Sequence, residues 1–217
     1  MSEKEVDVVG FDLDNTLYTL TEEMQSWIRQ RVCVVTSERL RRDSGEVQRE
    51  FEERYKELQS ARRSLMALGL PEDESIDIVQ RCLEEEEIVG FIKRDEQLAA
   101  LIGKLRKEYG LFLITGSNEK LTGEKLRRLG VEKEVFSVMV CANTQYRRED
   151  GSAFHYVSAA LQVPHQRMLF VGDREAVDIL PAARLGIKTA IVNGRSAHAT
   201  YNLSTLYDLE GILLARR

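Results

Sequence analysis

Short β-rich runs alternate with helical patterns through most of this chain, and that alternation limits the folds open to it more than any other feature. The runs are Val6–Phe11, Leu111–Thr115, Val135–Cys141, Met168–Val171 and Thr189–Val192. Helical patterns fill Glu96–Tyr109, Glu119–Leu129, Ala153–Leu161 and Ala176–Leu185, each followed closely by glycine or another breaker. Leu-Gly-Val at 129–131 and Leu-Gly-Ile at 185–187 read as helix ends turning into strands. Parallel strands need crossover connections, so strand and helix alternating at this pace imply an α/β fold with a doubly wound parallel sheet.

Residues 19–94 break the rhythm. Glu22–Val35, the charged stretch Gly45–Leu68 and Glu74–Val89 are helical in pattern, with strand character only around Cys33–Thr36. In the charged stretch Phe51, Tyr55, Leu58, Leu65 and Leu68 recur at spacings of three, four and seven, which makes one apolar stripe. Leu70-Pro71 separates two helices. The expected organisation is a sheet domain of 1–18 and 95–217 with a helical bundle, 19–94, inserted after the first strand and covering the sheet's carboxyl edge. The run Glu84–Glu87 reads as a solvated face. Met24, Trp27 and Phe91 suit either a bundle core or the substrate side of a cap.

Composition excludes several classes. A formal charge of −5 and a pI near 5.4 argue against a dedicated nucleic-acid binder, so an anionic substrate must meet local positive groups or a metal. No apolar run reaches the length of a membrane span. The opening MSEKEVDVVGFDL lacks the basic-then-apolar order of a secretory signal. Cys33, Cys82 and Cys141 are odd in number and set among apolar neighbours, which reads as reduced core thiols in a cytoplasmic protein. His155, His165 and His198 are too scattered in sequence to suggest a metal triad.

The stretch Val6–Tyr18, VDVVGFDLDNTLY, carries the strongest chemical signal. Strand residues i and i+2 face the same way, so an extended chain past Phe11 would point Asp12 and Asp14 into one cleft. Two carboxylates that close need a divalent cation, a shared proton, or solvent exposure in an acidic turn, and Asn15 and Thr16 suit a tight turn. In open α/β sheets ligands bind outside the carboxyl ends of the strands. Two other strand ends bear suitable groups. Thr115 is followed by Gly116, Ser117 and Asn118, a plausible anion cradle or simply the cap of the next helix. Asp173 follows Gly172, and Asp178 lies five residues on. Four carboxylates make an oxygen-rich site that suits a hard cation such as Mg²⁺. Arg147, Arg148 and Lys120 are the candidate sources of positive charge for a phosphate.

With FDLDNTLY, LITGS and VGDREAVD in this order, the chain resembles the haloacid dehalogenase-like superfamily, whose catalytic domain is Rossmann-like and often carries a helical cap after the first motif. FDLDNTLY, the helical cap and EKLRRLGV are similar to phosphatases of the pyrimidine 5′-nucleotidase-like branch. The resemblance implies a Mg²⁺-dependent phosphomonoester hydrolase acting on a small phosphorylated metabolite, with a nucleoside monophosphate as a candidate, and no nucleic-acid or membrane partner. A monomer or weak homodimer is expected.

By the same resemblance, Asp12 is the nucleophile, Asp14 protonates the leaving oxygen and then activates water, and Thr115 binds the phosphoryl group. Arg148 is a further catalytic candidate, and Gly116, Ser117, Arg148 and Lys120 are substrate-binding candidates. The metal set is Asp12, Asp14 through its backbone carbonyl, and Asp173, supported by Asp178. Acid–base work at Asp14 requires a pKa raised toward neutrality. One departure stands out: the family usually has a lysine before the late helix, commonly followed by proline, and here the segment is RREDGSAF, with Arg148 in the lysine position and Glu149 after it. That departure supports an alternative, a weak or silent member with a binding or regulatory role.

Overall fold

The computed structural model describes residues 5–58, 60–83, 85 and 87–214. The chain divides into two compact units, one formed by the N-terminal segment through Thr19 together with Ile92 onward, the other by Leu20–Phe91.

The first unit is built on six parallel strands: β1 (Val8–Phe11), β2 (Gly110–Ile114), β3 (Val138–Val140), β4 (Met168–Gly172), β5 (Lys188–Ile191) and β6 (Tyr201–Asn202). Their spatial order is β3-β2-β1-β4-β5-β6. Chain order therefore reverses between β1 and β4, the topological switch point at which such sheets open a crevice. β1 (VVGF) is buried at every position, as expected for a strand covered on both faces. Register is tight enough that Phe11 pairs with Val171 and with Leu113, and the backbone N–H of Asp12 continues the ladder to Val171 O at 2.9 Å. The short β6 was not expected from sequence; its two residues give no alternation to read.

One face of the sheet packs Phe112, Phe154 and Phe170 with Ile114, Val157 and Ile187. The Phe112 and Phe170 rings stack at 6.0 Å, and Phe154 meets Phe170 edge-on at 5.0 Å. Gly10 makes room for this: a Cβ there would sit 2.0 Å from the Phe112 ring.

Helices of this unit begin and end as their sequences direct. Asp95 caps α6 (Glu96–Arg106) by accepting from Leu98 N, and Asn118 caps α7 (Glu119–Leu129) by accepting from Leu121 N. Gly130, at φ 83°, closes α7. α8 spans Ser152–Leu161 and α10 spans Asp208–Leu213. The helix expected at Ala176–Leu185 is instead a π-helical turn, Glu175–Ile179, followed by α9 (Leu180–Arg184). Pro181 has no N–H for the carbonyl four residues before it, and the Asp178 carboxylate takes Arg174 N–H at 2.9 Å; both favour the wider turn.

The second unit is all helical: α1 (Glu22–Leu40), α2 (Ser44–Leu58), α3 (Ala61–Ala67), α4 (Glu72–Leu83) and α5 (Glu87–Phe91). The strand character around Cys33–Thr36 did not hold. Val32, Cys33 and Thr36 lie buried on one face of α1, where packing outweighs β-propensity. The single long helix read at Gly45–Leu68 is broken, because Ser60 is extended and caps α3 by accepting from Arg63 N. Glu74–Val89 is likewise divided between α4 and α5. Phe51, Leu65 and Leu68 of the predicted stripe are buried. Met24 is core, and Trp27 is half-buried with its ring 6.3 Å from Phe91. In the run Glu84–Glu87, Glu84 and Glu86 lie outside the described residues, while Glu85 pairs with Arg31 at 2.6 Å. Cys33 and Cys82 are buried free thiols in this unit and Cys141 is one in the sheet unit; burial pushes Cys33 up to about 12 and Cys82 up to about 11. No helix among the described residues is long and apolar enough to cross a membrane.

Candidate active site

The sheet's switch point places the ends of β1 and β4 side by side, and with them Asp12 and Asp173. Asp12, Asp173 and Asp178 each offer a carboxylate oxygen within 4.8 Å of the others. Asp12 and Asp178 are buried and Asp173 is half-buried. Gly172 permits this crowding, since a Cβ there would lie 2.4 Å from the Asp178 Cβ. Burial raises all three carboxyls above their ordinary range, Asp12 to about 6, with the Arg148 charge opposing the rise.

Arg148 is the counterion. It sits in the loop between β3 and α8, 6% exposed, and its Nη1 lies 2.7 Å from both Asp12 Oδ1 and Asp178 Oδ1. Burial works against the guanidinium charge, but Asp12 and then Asp178 outweigh it and hold the group firmly protonated. The adjacent Arg147 is exposed, its Nη1 donating to the Thr144 and Tyr146 carbonyls of its own loop. Glu149 points outward as an exposed side chain. Gly151, at φ 81°, turns the chain back into α8 and donates its N–H to Arg148 O.

Asp14 belongs to a different cluster. The strand ends at Phe11, and a turn follows in which Thr16 and Leu17 donate to Leu13 O and Asn15 adopts φ 58°. The Asp14 carboxylate accepts from Lys125 Nζ at 2.5 Å and Tyr18 Oη at 2.5 Å on one oxygen, and from Ser117 Oγ at 3.0 Å on the other. Burial would raise its pKa, but Lys125 and the hydrogen bonds from Lys125, Tyr18 and Ser117 override it, so the group is held below the usual carboxylate range. This is the opposite of the raised value that an acid role at Asp14 requires. Its carboxylate is paired with Lys125 and is not one of the oxygens of the three-carboxylate cluster.

Thr115 and Ser117 are buried, and Ser117 N–H donates to Thr115 Oγ1 at 3.1 Å. Capping of α7 falls to Asn118, and the Ser117 hydroxyl is committed to Asp14 and Lys125 instead. Gly116, between them, is half-buried. Lys120 is exposed on α7, where it lines a surface depression of about 600 Å³ with Arg94, Arg127 and Lys133, a depression to which none of the aspartates contributes.

Lys125 and Tyr18 were not singled out from sequence. A signal existed for the lysine: it stands four residues after Leu121 and four before Leu129, on the apolar face of α7, where an unpaired ammonium would be costly. Its partner could not be read, being 111 residues away.

The three-carboxylate cluster fits a hard cation. Asp173 Oδ2 accepts from Asn15 Nδ2 at 2.8 Å, but buried Asp173 Oδ1 has no hydrogen-bond partner among the described residues. Arg174 Nε, 3.9 Å from that oxygen, is too far to donate. An oxygen left in this state beside two further carboxylates is suited to a divalent ion. Both Asp178 oxygens are already engaged, by Arg148 and by Arg174 N–H, so Asp12 and Asp173 are the better direct ligands and Asp178 the supporting one.

Comparison with known proteins agrees with this geometry. The model of the haloacid dehalogenase-like hydrolases matches residues 6–186, and the chain belongs to that family. A phosphatase of the same superfamily from Thermococcus onnurineus superposes with a TM-score of 0.65 at 20% identity, covering 96% of this chain and 98% of the other. A haloacid dehalogenase-like protein from Streptococcus pneumoniae gives 0.67 at 16%, covering 96% and 98%. A 2-haloacid dehalogenase from Pseudomonas syringae gives 0.59 at 20%, covering 97% and 99%. A phosphatase and a dehalogenase thus share this fold, and the choice of reaction rests on the site.

Proposed function

We propose that the chain is a Mg²⁺-dependent phosphomonoester hydrolase that works through an aspartyl-phosphate on Asp12 and acts on a small phosphorylated metabolite. The observation that carries this reading is the pairing of two separately held carboxylates at one strand end. Asp12 lies among Arg148, Asp173 and Asp178, and Asp14 is fixed two residues on by Lys125, Tyr18 and Ser117. A dehalogenase, as read from family resemblance, needs the first aspartate without this use of the second.

In the first half-reaction an Asp12 oxygen attacks phosphorus, the P–O ester bond breaks with its electrons staying on the ester oxygen, and that oxygen takes a proton from water to leave as the alcohol. Arg148, 2.7 Å from Asp12, neutralises charge there, and Thr115, as the family resemblance implies, binds the phosphoryl group. In the second, water attacks phosphorus, the P–O bond to Asp12 breaks with its electrons returning to the carboxylate, and the water proton passes to Asp14. Held ionised by Lys125, Asp14 is free to accept a proton, and the lowered pKa makes it a weak base whose contribution rests on its position. Asp12 and Asp173, supported by Asp178, would hold Mg²⁺, which screens the nucleophile from an anionic substrate.

A screen of phosphomonoesters with Mg²⁺ tests the proposal, nucleoside monophosphates being the first class to try. Turnover that is lost in Asp12→Asn while the fold is retained is the expected result; unchanged turnover in that variant rules out covalent catalysis there. One observation favours a second reading, a phosphate-binding member with little turnover: Arg148 Nη1 is shared between Asp12 and Asp178, so part of its charge is spent inside the protein. Saturable binding of inorganic phosphate without turnover of any ester would favour it.

A further inference from the structure

Lys125 does nothing in the scheme above, yet it is among the largest fully buried side chains of the protein, with no exposed surface. A buried ammonium without a purpose is expensive, and a leucine or methionine would fill this face of α7 at lower cost. Its Nζ reaches Asp14 Oδ1 at 2.5 Å and Ser117 Oγ at 2.9 Å, and Ser117 Oγ in turn donates to Asp14 Oδ2 at 3.0 Å. Lysine, serine and aspartate thus close a triangle in which both carboxylate oxygens are held. Tyr18 adds a second donor to Oδ1.

The triangle joins separate elements. Asp14 lies in the turn after β1, Ser117 in the loop after β2, and Lys125 in the second turn of α7. Asp14 immediately precedes the left-handed Asn15 and lies outside the regular ladder, with only an isolated bridge to Tyr18. Its side chain is 21% exposed, so part of the carboxylate remains accessible although both oxygens are gripped. The grip fixes the orientation of the carboxylate.

We infer that Lys125 is a positioning residue for the second half-reaction: through Ser117 and directly, it fixes the Asp14 carboxylate in the orientation from which it takes the proton of the attacking water. The inference rests on the hydrolase reading above. The first half-reaction, with a leaving group that needs no proton, does not depend on it.

Lys125→Met preserves the length and apolar stem while removing the ammonium. With p-nitrophenyl phosphate and Mg²⁺, the expected result is a kcat about 100-fold lower, the size associated with a misplaced catalytic group, while kcat/KM stays near the wild-type value. A pre-steady-state burst of p-nitrophenol approaching one equivalent per active site accompanies it, because the aspartyl-phosphate accumulates. A merely structural lysine gives a different signature: kcat and kcat/KM fall together and no burst appears.

That parallel loss, or unchanged kcat in the variant, overturns the role of Lys125 while wild-type turnover leaves the hydrolase reading standing. Absence of turnover in the wild type sinks the hydrolase reading and the role together. If Lys125→Met fails to fold, Ser117→Ala, which removes one side of the triangle, carries the same kinetic test: a lower kcat with retained kcat/KM supports the inference, and a parallel loss refutes it.

Discussion

Removing Arg148 should reveal how much of this fold depends on one buried cation. Arg148→Met keeps much of the side-chain volume but leaves Asp12 and Asp178 without the guanidinium that lies 2.7 Å from each. Breaking a buried ion pair by deleting one partner costs about 3–5 kcal/mol. For a chain of this length each kcal/mol moves the thermal midpoint by roughly 2–4 °C, so a fall of about 6–20 °C is expected. Proton uptake limits the cost. Asp12 is already raised to about 6 by burial with Arg148 opposing, and without the arginine it rises further. Below that raised pKa the carboxyl is neutral and needs no counterion, so the deficit is largest at alkaline pH and shrinks as pH falls through the variant's pKa toward about 6. Mg²⁺ should stabilise the variant more than the wild type, since it supplies the missing charge. Differential scanning calorimetry at about pH 8 and about pH 5, with and without Mg²⁺, checks all three statements. A variant midpoint within about 2 °C of wild type at the higher pH, without metal, would refute the claim that Arg148 neutralises this cluster.

Other consequences can be measured directly. Gly172→Ala should destabilise by about 1–3 kcal/mol through overpacking and should cost activity as well, because its Cβ would strike Asp178 at 2.4 Å and shift the carboxylate that helps to hold Arg148; chemical denaturation and phosphate release read the two effects, and wild-type behaviour in both would contradict the packing described. Tyr207 is raised to about 12 by burial and by its 2.6 Å hydrogen bond to Asp95. The neutral phenol therefore contributes stability that is fully present below its ordinary pKa of 10.0 and is lost as pH rises toward about 12. Tyr207→Phe should flatten that part of the alkaline unfolding profile, and an identical profile would show that the hydrogen bond does not matter.

Much of the sheet unit was legible because its signals are local. Buried parallel strands must be continuously apolar, and MLFVG and VVGF are. Asn118, Asp95 and Gly130 mark helix ends through their own backbone chemistry. Local signals also misled. The β-branched cluster at Cys33–Thr36 became helix because its burial on α1 outweighed its propensity, and the π-helical turn at Glu175–Ile179 depended on an Asp178 carboxylate whose partners lie elsewhere.

The aspartates divide in the same way. The positions of Asp12 and Asp173 just past strand ends follow from the chain itself, since an apolar run that stops at a polar residue leaves that residue at the sheet's carboxyl edge. Sequence alone therefore determined the α/β fold, the presence of Asp12, Asp14, Asp173 and Asp178 near one end of the sheet, and Arg148 as a candidate cation. Tertiary structure decided the pairing: Arg148 goes to Asp12 and Asp178, Lys125 to Asp14, and Asp173 keeps one oxygen with no hydrogen-bond partner among the described residues. That choice is Coulombic and depends on desolvated distances of a few ångströms between residues thirty to more than a hundred positions apart, which periodicity along the chain does not encode.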